Sequence, residues 1–174
     1  MKRNRWGVGL LAAGVLLAGC GAAPASGVEG LIQQVRRDVK ASVQLIARQP
    51  LKDGGEIGIF AYRKGSLCGA GMVDVAAGST VSQEGECSGP ISAGQSSGEG
   101  LTVVYGYLPP VEVGRIVLRW EDGSEAEAML GEAAFYYVAE GPDLPAGQVS
   151  LTAYDRQGKV LHQGPAPGGH SHGH

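Results

Sequence analysis

From Val28 to Ile46, apolar residues recur at helical spacing. Val28, Leu31, Ile32, Val35, Val39, Val43 and Ile46 fall on one stripe. Gln33, Arg36, Arg37, Lys40, Gln44 and Arg48 lie on the opposite face. Ser26 and Glu29 stand at capping-box spacing just before the stripe, and Pro50 disfavours helix at Gln49. The pattern predicts one amphipathic helix that begins near Val28 and ends before Pro50. Its stripe either packs on a sheet, leaving the charges solvated, or lies on an anionic bilayer surface. A glycine-rich sheet needs cover, which favours packing.

After Lys52-Asp53-Gly54-Gly55 the period changes to two. Residues 56–63 (EIGIFAYR) and 66–75 (SLCGAGMVDV) flank Lys64-Gly65 and predict a hairpin. Residues 80–87 predict a third, weaker strand. Residues 88–100 (SGPISAGQSSGEG) are poor in large apolar side chains and predict a loop or linker. Strands are then expected at 101–108, 112–120, 124–130, 133–139 and 148–155, with a closing hairpin arm at 159–162. Arg115 and Arg119 stand on the polar face of their strand and Glu125 and Glu127 on that of the next, which suits an antiparallel pair. Tyr105, Tyr107, Phe135, Tyr136, Tyr137 and Tyr154 read mainly as core.

The fold class expected is therefore α+β and mainly β. It has one N-terminal amphipathic helix, then antiparallel strands, with a small β-sandwich in the C-terminal half. The divisions expected are 28–88 (helix and first strands), 89–100 (linker), 101–163 (sandwich) and 164–174 (flexible Gly/Pro/His tail). Trp120-Glu121-Asp122-Gly123, the aromatic strand 133–139 and the run 153–160 (AYDRQGKV) together resemble the immunoglobulin-like sandwiches of exported bacterial proteins. That resemblance covers about residues 101–163 and implies a fold without a function.

Composition sharpens this picture. Glycine supplies 30 of 174 residues, which favours short strands and turns over helices. Charged residues make up 18% against 43% hydrophobic, which suffices for a buried core.

The N-terminus carries an address. Lys2, Arg3 and Arg5 precede an apolar run from Trp6 to Leu17 that is too short to span a bilayer. The run ends in Leu17-Ala18-Gly19-Cys20, which resembles the lipobox of bacterial prolipoproteins. The resemblance covers residues 1–20. It implies a signal peptide at 1–19, lipidation of Cys20, a tether at 20–27, and a body held on the extracytoplasmic face of a membrane. The competing reading is an ordinary signal peptide in which Cys20 is incidental. Without residues 1–19, the chain carries 11 basic and 17 acidic side chains, a formal net charge of −6. That balance argues against nucleic acid as a partner, because such binding rests on phosphate neutralisation. The partners expected are the membrane, through lipid on Cys20, and an envelope protein or the cell wall.

With Cys20 acylated, Cys68 and Cys87 remain as a pair in an oxidising compartment, where a bridge between neighbouring strands is expected. Two free thiols poised for redox or metal chemistry are the alternative, although no CxxC spacing supports them.

Other candidates are weaker. Gly94-Gln95-Ser96-Ser97-Gly98 matches G-x-S-x-G, but a nucleophile elbow needs a strand before it and a helix after it. His162 has no evident orienting partner. Glu84 with Glu86, and Glu121 with Asp122, carry no mark of an acid–base pair. Gly69-Ala70-Gly71 lacks the third glycine of a nucleotide fingerprint. His170, His172 and His174 alternate with small residues and suit Cu(II), Ni(II) or Zn(II), but no acid stands nearby to complete a cage. No cofactor other than such a metal is implied. The reading reached is a non-enzymatic envelope lipoprotein, with a metal-binding lipoprotein as the alternative.

Overall fold

The structure is a computed structural model, and it describes residues 27–166 apart from Glu99 and Val111. The described residues form a helix α1 (Val28–Val39) and twelve strands. The first sheet is a meander of β1 (Ser42–Pro50), β2 (Glu56–Lys64), β3 (Leu67–Asp74) and β4 (Ser79–Glu86). The second sheet contains β5 (Ala93–Gly98), β6 (Leu101–Tyr107), β9 (Met129–Leu130) and β10 (Ala134–Glu140), in the order β5-β6-β10-β9. The third sheet contains β7 (Arg115–Trp120), β8 (Glu125–Glu127), β11 (Val149–Tyr154) and β12 (Val160–Pro165), in the order β12-β11-β7-β8. All pairings are antiparallel.

Period-two alternation stacks these elements in four layers. Val28, Ile32 and Val35 of α1 meet Val43, Phe60, Tyr62 and Val73 on one face of the first sheet. Ile57, Ile59, Ala61, Ala70 and Met72 point the other way, against Val103, Tyr105 and Ala134 of the second sheet. The opposite face of the second sheet offers Ala93, Val104 and Phe135 to Ile116, Leu118, Trp120, Leu151 and Ala153 of the third. Adjacent residues Val103 and Val104 thus sit in different cores, both with no exposure. The second sheet is buried on both faces.

Glycines make this stacking possible at four cross-strand positions. Phe60 pairs with Gly71 and Tyr62 with Gly69, Gly94 pairs with Tyr105, and Phe135 pairs with Gly106. In each pair the ring lies where a β-carbon on the glycine would sit, at 2.4–2.7 Å from that position. A substituent of any size displaces the ring.

The helix is shorter than the sequence pattern predicts. It ends at Val39, where Lys40 adopts a left-handed conformation (φ 53) and donates its N–H to the Arg36 carbonyl. Residues 42–50 form β1. Val39, Val43 and Ile46 share helical spacing without sharing a face: Val39 ends the helix, Val43 and Ile46 lie on opposite faces of β1, and a bulge falls between Leu45 and Ala47. Val43 and Leu45 face α1, whereas Ile46 and Ala47 both turn to the second sheet. The N-cap is Gly27, with no side-chain cap, and Glu29 engages Arg48 of β1 in place of a capping box.

Three further expectations are corrected. The segment 89–100 is no linker, because residues 93–98 form β5 with Ala93 fully buried. Residues 124–130 form two short strands in different sheets, and the chain crosses between layers at buried Ala128. The expected tail starts too early, since Gly164 and Pro165 belong to β12 and Ala166 is buried in the core between the second and third sheets. The stripe of α1 packs on the first sheet, as expected.

A substitution pair tests the ring-on-glycine contacts. At Gly106 a β-carbon would meet the Ser92 carbonyl oxygen at 2.3 Å and the Phe135 ring at 2.4 Å. Gly106→Ala is expected to destabilise the fold by about 1–3 kcal/mol, the usual cost of overpacking. At Gly98 nothing lies within 4 Å, so Gly98→Ala should stay within about 0.5 kcal/mol of the parent. Thermal or urea unfolding of both proteins checks the contrast.

Candidate functional site

A concavity opens between the first and second sheets, at the end where three hairpins turn. It encloses about 630 Å³, within the range of small-molecule sites. Leu51, Met72, Val81 and Leu101 supply its apolar surface; Lys52, Asp53, Asp74, Ser79, Ser96, Ser97 and Glu140 supply polar groups. The reason for the opening is local. Beyond β2 and β3 the first sheet ends in tight turns, so the core it shares with the second sheet is left uncovered there.

The polar groups are largely committed to holding those turns. Asp53 Oδ1 accepts the Gly55 N–H at 2.8 Å, and Asp74 Oδ1 accepts the Ala77 N–H at 3.0 Å. Glu140 Oε1 accepts the Lys52 N–H at 2.8 Å, and the Lys52 ammonium donates to the Glu140 carbonyl at 3.4 Å. Thr102 is buried and donates to Ser97 Oγ at 3.2 Å. Ser96, the serine of the G-x-S-x-G match, lines the opening from β5. Among the described residues, β5 is followed by β6 and not by a helix, and no histidine lines the opening. Gln95 of the same motif serves the fold. Its Oε1 accepts the Val149 N–H at 3.1 Å and its Nε2 donates to the Gly147 carbonyl at 3.2 Å, tying the edge of the second sheet to the third.

The cysteine pair lies at the opposite end of the first sheet. A disulfide joins Cys68 of β3 to Cys87 just beyond β4, with Cα atoms 4.9 Å apart. Nearby, the Tyr62 hydroxyl reaches across Gly69 and donates to Glu84. Burial and then the Glu84 carboxylate push the Tyr62 hydroxyl well above the ordinary tyrosine range. Burial alone pushes Tyr105 up to about 12.

Of the remaining candidates, Glu121 and Asp122 sit in the turn after β7. The Asp122 carboxyl is held below its usual range by the N–H groups of Ser124 and Ala146. Arg119 pairs with Glu125 across β7 and β8 as expected. Arg115 instead lies 4.6 Å over the Tyr154 ring, and Glu127 stands opposite Val117. His162 lies on β12 and pairs with Ala153. Cys20, His170, His172 and His174 lie outside the described residues. Among the described residues, no group of three or more His, Cys, Asp or Glu side chains is placed to hold a metal ion. Also among them, no helix is long and apolar enough to cross a membrane. The opening between the sheets was missed by sequence reasoning, because it is assembled from turns far apart in the chain.

No protein-family model, no curated protein and no solved structure matches this chain.

Two predictions follow the geometry. The bridge closes a sequence separation of 19 residues, so replacing both cysteines by serine should lower unfolding stability by about 3 kcal/mol. Denaturant titration of the oxidised parent against the double variant measures it. The second concerns high pH. A tyrosine whose folded pKa lies above its unfolded value stays protonated in the fold while the unfolded chain ionises. Its contribution is complete below about pH 10 and is lost as pH rises toward the folded value of about 12 for Tyr105. Stability should therefore fall above pH 10, and Tyr105→Phe should show a shallower fall between pH 10 and 12 in unfolding midpoints.

Proposed function

We propose that this chain is an exported lipoprotein, anchored through acyl groups on Cys20, whose body binds an envelope protein or the cell wall without catalysing a reaction. The observation that carries the proposal is the run from Lys2 to Cys20. It combines a basic start, an apolar stretch and Leu17-Ala18-Gly19-Cys20. The Cys68–Cys87 bridge supports it, because structural disulfides persist in oxidising compartments. The character of the opening between the sheets also supports it, since its carboxylates are engaged by turn N–H groups.

We further read the second and third sheets as a β-sandwich of the immunoglobulin-like kind. The chain passes from β5 and β6 to β7 and β8, back to β9 and β10, and out again to β11 and β12. One core, centred on Trp120, Phe135 and Leu151, lies between the two sheets.

Fractionation tests the anchor. Cys20→Ala should move the mature body from the membrane fraction to the soluble extracytoplasmic fraction, or leave it as an uncut precursor. A Cys20→Ala protein that still carries lipid and sediments with membrane overturns the assignment.

A further inference from the structure

We propose that the α1 layer is a docking surface for anionic lipid headgroups, holding the body with its helix against the bilayer and its third sheet outward. The inference rests on the anchored-lipoprotein reading for its setting, and on three observations for its content.

The first is reach. Seven residues lie between Cys20 and Val28, and the eight steps from one to the other span at most about 28 Å. The start of α1 is therefore tied within that reach of an anchored lipid, and Lys40 lies about 18 Å farther along the helix.

The second is the charge of each layer. The helix and first sheet, residues 28–86, carry seven basic and seven acidic side chains. Residues 87–166, which build the other two sheets, carry four basic and ten acidic side chains. The whole excess of six negative charges lies in the layers farthest from α1. An anionic surface repels those layers and leaves one orientation favoured.

The third is which charges of the near layer are engaged. Glu29 pairs with Arg48, and Glu84 accepts from Tyr62. Among the described residues, Arg37, Lys40, Arg63 and Lys64 make no ion pair, and all four are exposed. They gather at one end of the layer, because Lys40 closes α1 and Ser42 pairs with Arg63. Asp38 and Glu86 oppose them there and weaken the cluster without cancelling it. The apolar stripe of α1 is already used against the first sheet, so the helix docks by charge and does not insert. Each basic side chain near such a surface strengthens attraction about fivefold, and salt weakens it over a Debye length of about 10 Å.

The test supplies the anchor chemically, so it does not depend on whether the cell lipidates Cys20. With Cys68 and Cys87 joined, Cys20 is the free thiol of the mature chain. The mature chain is coupled through it to maleimide lipid in vesicles of phosphatidylcholine, alone or mixed with phosphatidylglycerol. Lysine acetylation rates are then read by mass spectrometry. Lys40 and Lys64 should react severalfold more slowly on the anionic vesicles, while Lys159 keeps its rate. Added salt, or Arg37→Glu with Arg63→Glu, should abolish the protection. Both replaced residues are exposed, and circular dichroism verifies that the variant is folded. Equal rates at Lys40 and Lys159 on both vesicles overturn the docking surface. So does protection of the same size on pure phosphatidylcholine, or protection that survives the two reversals. Loss of docking with Cys20 lipidated in cells leaves the anchor intact, and docking with Cys20 unmodified in cells removes the anchor alone.

Discussion

The layered body depends on an aromatic ring laid over a glycine of the neighbouring strand. Each boundary between layers contains one. Phe60 over Gly71 and Tyr62 over Gly69 lie beneath α1, Tyr105 over Gly94 faces the first sheet, and Phe135 over Gly106 faces the third. Two sheets packed face to face leave only about 10 Å between them. A large ring fits that gap when it lies flat across its own sheet, and flat placement needs a neighbour with no side chain. A glycine in a strand costs backbone entropy and packs nothing itself. Covering it with a ring restores apolar contact and shields its backbone hydrogen bonds from water. The glycine content thus reflects the packing of the sheets as well as their turns.

This constraint explains why some of the fold was legible from the sequence and some was not. The hairpin of β2 and β3, and strands β6, β7, β10 and β11, show alternation of large apolar residues, and their positions were read to within a few residues. β5 was read as a loop because Ala-Gly-Gln-Ser-Ser-Gly contains no large apolar side chain. Its buried surface is supplied by Tyr105 from the adjacent strand, which no window over residues 93–98 contains. The helix was overextended for a different reason. Val43 and Ile46 face opposite layers from β1, and a strand buried on both faces can place apolar residues at helical spacing. Ala128 and Ala166 are small residues at places where the chain changes layer or leaves the core, and a residue of that size carries no periodic signal.

The candidate chemistry was legible only as far as it was local. The pairing of Cys68 with Cys87 follows from arithmetic once Cys20 is set aside, and the strands bring the two together. The rejection of Ser96 rested on missing neighbours, and the structure gives its segment another use through Gln95. The opening between the first and second sheets could not be read, because Lys52, Asp74, Ser96 and Glu140 come from four separate turns or strand ends. The structure also assigns those carboxylates a task that competes with ligand binding. Each completes a turn by accepting a backbone N–H, so drawing it to a ligand would release that donor unpaired.

The order of layers follows the order of the chain, and this gives the body a direction. Residues 28–86 make the helix and first sheet, and later residues make the other two. A charge bias along the sequence therefore becomes a charge bias across the stack. Had the strands of the first sheet been interleaved with those of the third, the same composition would have left both outer faces alike. The second sheet, with a core on each side, separates the two outer layers. What lies outermost is α1 at one end and the outer face of the third sheet at the other. On that far face Arg119 is matched by Glu125, and Arg115 lies on Tyr154. Arg115 and Arg119 are thus engaged within the far face, which leaves Lys159 exposed there, whereas Arg37, Lys40, Arg63 and Lys64 near the end of α1 make no ion pair among the described residues. An acidic chain approaches an anionic surface most readily with its unpaired basic side chains foremost, and the layer order places Arg37, Lys40, Arg63 and Lys64 together in one outer layer.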